Sequence, residues 1–172
     1  ITDKQMNLKD LEQKTNYPWE GSVKITMQAC KKEPFKMMLR IPDWAVGSTV
    51  LVNGTATSAD VKAGSYTTIE RAWKKGDVIS LDMPMDAKLV EGNLLIEEVR
   101  NQVAIKRGPV VYCVESTDLP KNTKILDVYI PESSTLSATY RPEFLGGLST
   151  VGGDVMLRKD NSNSMYNTLN KP

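Results

Sequence analysis

The chain has 172 residues, with 22 Lys plus Arg against 21 Asp plus Glu, no histidine and a formal net charge of +1. That balance excludes the basic surface a nucleic-acid partner requires. No apolar run reaches the roughly 18 residues that a membrane-spanning helix needs. The N-terminal Ile-Thr-Asp-Lys-Gln has no apolar signal-peptide core, which in an excised fragment carries no weight.

In chain order, Asn7 to Lys14 offers at most a turn or two of helix, with Leu8 and Leu11 to bury. Val23, Ile25, Met27 and Ala29 alternate with Lys24, Thr26 and Gln28, the period-two pattern of a strand with one wet face. Phe35, Met37, Leu39 and Ile41 repeat it until Pro42 removes a ladder donor. Thr49 to Val52 is a third strand. Asn53-Gly54 then predicts a hairpin, because both residues tolerate positive φ. Tyr66 to Arg71 is a fourth strand, and Lys74-Lys75-Gly76-Asp77 turns into a fifth over Val78 to Met83.

A polar joint is expected over 86–93, followed by a strand whose face is Val99, Asn101, Val103 and Ile105. Gly108-Pro109 breaks the run. Val110 to Glu115 reads as a strand buried on both faces, and Ile125 to Ile130 as the last clear strand. Beyond Pro131 the chain is rich in Ser, Thr, Gly and Asn, with apolar islands at Leu136 to Tyr140 and Val155 to Leu157.

This pattern predicts an all-β, antiparallel, jelly-roll-like β-sandwich, either alone or with part of a second small β-unit. Residues 1–20 are expected to be a linker and 21–115 the main sandwich. Residues 116–172 would add further strands and a loose tail, with a joint near 115–124.

Cys30 and Cys113 lie in apolar runs and read as buried thiols, with a disulfide between neighbouring strands as the alternative. Two cysteines without histidine make a poor metal site. Glu97 and Glu98 are adjacent, so on a strand they point to opposite faces and do not flank one glycosidic bond. Trp19, Trp44 and Trp73 are the candidates for sugar stacking; the alternative is that they cap the core. Lys31-Lys32 and Lys74-Lys75 read as solvated edge protection. Asp43, Asp77 and Asp118 read as turn residues, too dispersed for a calcium site. The Arg107-Gly108-Pro109 break is expected to shape a corner between strands.

Four segments carry a resemblance. They are Leu39-Arg40-Ile41-Pro42-Asp43-Trp44-Ala45, Val52-Asn53-Gly54, Arg71-Ala72-Trp73-Lys74-Lys75-Gly76-Asp77 and Lys106-Arg107-Gly108-Pro109-Val110-Val111-Tyr112-Cys113. In this order and spacing the chain resembles the C-terminal β-sandwich region of glycoside hydrolase family 127, the β-L-arabinofuranosidase-like enzymes. The resemblance runs from Thr15-Asn16-Tyr17-Pro18-Trp19-Glu20-Gly21 to about Gly153. It implies an active site in an absent upstream helical barrel, to which residues 1–20 would be the linker, with a zinc-held cysteine nucleophile and a glutamate acid/base. Neither Cys30 nor Cys113 has the clustered cysteines and nearby glutamate of such a site, so no catalytic residue is carried over.

The resemblance implies a non-catalytic accessory module of a bacterial, secreted or periplasmic enzyme that hydrolyses terminal furanosides with retention. The barrel of the same chain would be its partner, and carbohydrate a second one. The rival readings are a carbohydrate-binding module and a structural or adhesive sandwich with no enzyme attached. Family members carry a further aromatic-rich strand beyond the point where this chain stops. If that strand is absent, an open sheet edge is expected, either paired with another copy or covered by the Ser/Asn-rich tail.

Overall fold

The computed structural model describes residues 9–30 and 33–158. Its first part is a sandwich whose strands follow the period-two segments. They are β1 (Lys9–Thr15), β2 (Ser22–Ala29), β3 (Phe35–Arg40), β4 (Thr49–Val52), β5 (Thr55–Ala56), β6 (Tyr66–Arg71) and β7 (Val78–Asp82). One sheet has the order β1-β2-β7-β4-β5, and β3 and β6 pair to form the facing ribbon; every ladder is antiparallel.

Register aligns the apolar residues in rows. Val23 and Val50 both lie opposite Leu81, while Ile25 and Val52 both lie opposite Ile79. These rows pack with Leu39 and Ile69 of the ribbon and with Met27, Ile41, Ala45, Trp73 and Met83 into one core. Asn53 and Gly54 have φ of 52° and 80°, so the β4–β5 hairpin uses the positive-φ turn that both residues tolerate.

Of the segment Asn7 to Lys14 expected to make a helical turn, Asn7 and Leu8 lie outside the described residues, and the rest is not helix. From Lys9 onward it is strand β1, paired with β2, inside the segment read as a linker. Isolated helical turns are weak, and an available sheet edge offers the same backbone a full ladder.

The second part consists of β8 (Ala87–Glu91), β9 (Val103–Arg107), β10 (Val110–Tyr112), β11 (Val128–Tyr129), β12 (Leu136–Arg141), β13 (Leu148–Gly153) and β14 (Met156–Leu157). They form three separate antiparallel groups: β10-β9-β8, β12-β13 and β11-β14. Several expectations change in this part. The polar joint at 86–93 contains β8, made a strand by pairing Leu89 with Ile105 and Lys88 with Lys106. Only Val103 and Ile105 of the expected four-residue face lie in β9. Glu97–Val99 is a 3-10 turn, and Asn101 has a φ of 57°.

Val110 to Glu115 is not buried on both faces. β10 ends at Tyr112, Val111 is 63% exposed, and Cys113 is exposed. Ile125 to Ile130 begins with a 3-10 turn at Ile125–Asp127, followed by the two-residue β11. β13 has no counterpart among the strands expected from the sequence, because Leu-Ser-Thr-Val-Gly-Gly lacks alternation and becomes a strand only opposite β12.

The two parts differ in burial. Every hydrophobic residue of the core lies between Val23 and Met83. Beyond Asp86, Gly108 and Ser149 are the only buried residues among those described. No helix among the described residues is long and apolar enough to cross a membrane. Lys31-Lys32 and the Ser/Asn-rich segment from residue 159 onward lie outside the described residues.

Candidate functional site: the junctions built by the signature segments

Two of the four segments that carry the resemblance, 52–54 and 71–77, interlock in space. Asp77, 7% exposed, accepts a hydrogen bond from Asn53 Nδ2 (2.9 Å) and another from the Lys74 N–H (2.8 Å). Asn53 Oδ1 accepts from the Val78 N–H at 2.8 Å, and the Asp77 carbonyl accepts from the Met27 N–H at 2.9 Å. The Arg71 guanidinium lies 3.7 Å from Asp77 Oδ2 and stacks 5.2 Å from the Trp73 ring centroid. Burial by itself would raise the Asp77 pKa. The bonds from Asn53 and Lys74, with the Arg71 and Lys74 charges, outweigh it and hold the carboxyl below its ordinary value. One carboxylate thus ties the β6–β7 turn to the β4–β5 hairpin.

A second junction forms around Trp19. Between β1 and β2, the N–H groups of Trp19 and Glu20 both donate to the Asn16 carbonyl (2.8 and 3.3 Å), and the Tyr17–Pro18 peptide is cis. Thr15 Oγ1 accepts from the Tyr17 N–H and donates to the Ser22 carbonyl. The Trp19 carbonyl faces the second part, where it accepts from Arg107 Nη1 at 2.7 Å and Ser149 Oγ at 3.2 Å. These partners lie 88 and 130 positions away in sequence.

Register places Arg107 and Tyr112 on one face of the β9–β10 ribbon. Arg107 Nε and the Tyr112 hydroxyl are buried there without a hydrogen-bond partner. Arg107 was legible as a corner residue but not as a link between parts. Ser149 carried no signal, since it sits in a Ser/Thr/Gly-rich stretch whose strand is decided by pairing.

The tryptophans take three different places. Trp73 is 2% exposed, donates from Nε1 to the Phe35 carbonyl (3.1 Å) and meets the Phe35 ring at 6.1 Å. It offers no face to a sugar, which corrects its place among the stacking candidates. Trp44 is half-buried against the core, and Trp19 is half-buried in its turn.

The cysteines are both free. Cys30 is half-buried and its thiol donates to the Trp73 carbonyl, whereas Cys113 is exposed, so neither the disulfide nor the pair of buried thiols is found. Glu97 and Glu98 sit on an exposed 3-10 turn. Among the described residues no three of His, Cys, Asp and Glu are close enough to ligate a metal. The zinc implied by the resemblance therefore has no ligand set in these residues.

The described residues thus form an antiparallel, two-part β-protein in which Asp77 and Asn53 fasten turns and Arg107 and Ser149 fasten the parts together. The profile of the β-L-arabinofuranosidase GH127 middle domain matches residues 2–85, and that of the glycoside hydrolase family 127 C-terminal domain matches 87–147. The chain belongs to glycoside hydrolase family 127. The two matched regions meet at residue 86, between β7 and β8, upstream of the 115–124 joint marked from composition.

The chain is 32% identical over 150 residues to a non-reducing end β-L-arabinofuranosidase of Bifidobacterium longum subsp. longum, covering 82% of this chain and 22% of that protein. Among solved structures it is similar to a glycoside hydrolase (TM-score 0.82, 38% identity), covering 94% of this chain and 27% of the other. It is also similar to a GH127 β-L-arabinofuranosidase from Geobacillus stearothermophilus (TM-score 0.84, 29% identity), covering 93% and 25%. The chain thus spans about a quarter of the length of these relatives.

Proposed function

We propose that this chain is the non-catalytic accessory region of an arabinofuranosidase-like glycoside hydrolase, supporting a catalytic domain that lies elsewhere in the parent protein. The observation that carries the reading is the match to the middle and C-terminal domains of the family, over about a quarter of the relatives' length. The Asp77 and Trp19 junctions support it, since they spend the signature residues on fastening rather than on chemistry. On this reading the parent hydrolyses a terminal furanoside with retention. The zinc, the nucleophile and the acid/base belong to its barrel, and the parent is a bacterial exported protein.

The test is a paired assay on an aryl β-L-arabinofuranoside with this chain and with the full-length parent, following the product anomer by NMR. Hydrolysis by the parent alone is the expected result. Turnover by this chain, or none by either protein, would overturn the reading.

A further inference from the structure

The connection between β8 and β9, residues 92–102, is fixed by its own hydrogen bonds. Asn93 Oδ1 accepts from the Leu95 N–H at 2.9 Å, and the Asn93 carbonyl accepts from the Ile96 N–H at 2.9 Å. Arg100 Nε donates back to the Leu94 carbonyl (3.2 Å), and Gln102 Nε2 donates to the Glu98 carbonyl (3.1 Å). Val99 packs against Gly92 and closes the base. A connection this well tied would be expected to turn polar residues outward. It instead presents Leu94, Leu95 and Ile96 to solvent, exposed to 71%, 87% and 49%. Three consecutive apolar side chains on a pre-ordered tip have the form of a docking element, because ordering costs are already met before a partner arrives.

We infer that the Leu94-Leu95-Ile96 tip seats in an apolar pocket on the parent's remaining polypeptide, with Glu97 and Glu98 meeting polar or basic groups at its rim. This rests on the accessory-region reading above and names where that region docks. Three observations select the occupant. The second part has no buried hydrophobic residue among those described, so its apolar surface needs cover from outside it. The relatives carry about three times as much further polypeptide, which can supply that cover. The flanking Glu91, Glu97 and Glu98 against the single Arg100 oppose an anionic membrane surface as the alternative.

Hydrogen exchange followed by mass spectrometry on the full-length parent and on this chain tests the seat. Amides of 92–102 are expected to exchange at least about tenfold more slowly in the parent. Leu95→Glu in the parent should return them to the rate seen in this chain, without changing this chain's own melting temperature. Equal exchange in the two unmodified proteins would overturn the inference, and that comparison needs no variant to fold. It would also be overturned if this chain self-associates in sedimentation in a manner abolished by Leu95→Glu. Leu95-dependent binding to phosphatidylcholine or phosphatidylglycerol vesicles would overturn it as well. Exchange does not depend on catalysis, so a protected tip in an inactive parent would reject only the proposed activity.

Discussion

At the scale of single residues, the chain's polar side chains act as fasteners. Asp77 holds two donors that would otherwise be stranded in a poorly solvated turn, and Asp77→Asn places an amide N–H against one of them. The expected cost is about 1–3 kcal/mol in chemical denaturation. Its pH dependence has a definite sign. The folded pKa lies below the unfolded value, so the stabilisation is fully present above the unfolded pKa of about 4 and is lost as pH falls through the folded one. Melting curves between about pH 6 and pH 2 should show a shallower acid loss for Asp77→Asn than for the wild type. Tyr112 makes the opposite case. Its hydroxyl is buried without a partner, so Tyr112→Phe should leave stability unchanged or raise it by up to about 1 kcal/mol. A loss larger than that would reveal a bonded neighbour.

At the scale of elements, strands with one apolar face in the core contrast with strands that are only paired. Ile79 and Trp73 are sealed between the β3–β6 ribbon and the larger sheet. Trp73→Ala should cost about 3–5 kcal/mol by leaving a cavity, whereas Val111→Ala on exposed β10 should stay within about 0.5 kcal/mol. Thermal unfolding of the two variants side by side checks the contrast. Among the described glycines, Gly21 leaves the least room for a side chain. It pairs with Met83, accepting its N–H at 3.1 Å, and a Cβ there would run into the Met83 carbonyl oxygen. Gly21→Ala should therefore open the end of the β2–β7 ladder, seen as faster amide exchange at Met83.

At the scale of the whole chain, stability is unequally shared. The core lies within 23–83, and the second part is held to it by Arg107 and Ser149 on the Trp19 carbonyl. Arg107→Met removes a charge-assisted donor and should cost about 1.5–3 kcal/mol. Exchange at residues 16–20 should rise with it, which a change confined to β9 would not produce. Residues 1–86 expressed alone should keep a cooperative melt, while residues 87–172 alone should show none, because burial of apolar surface is what offsets chain entropy. A sharp melt of 87–172 would contradict this division.

The amino-acid sequence by itself determined the all-β class and strands β2, β3, β4, β6 and β7. Each has one dry face, and a one-residue shift would turn that face to water. It also determined the Asn53-Gly54 and Lys74 to Asp77 turns, where local backbone preference decides the conformation. The tertiary structure alone decided β1, β8 and β13, whose residues alternate weakly and become strands only because a partner edge satisfies their backbone groups. It likewise decided that Trp73 is core, that Cys113 is exposed, and that Arg107 and Ser149 meet at Trp19. Contacts across 88 and 130 positions leave no periodic trace in a sequence, since they depend on where separate elements come to rest rather than on what either element prefers.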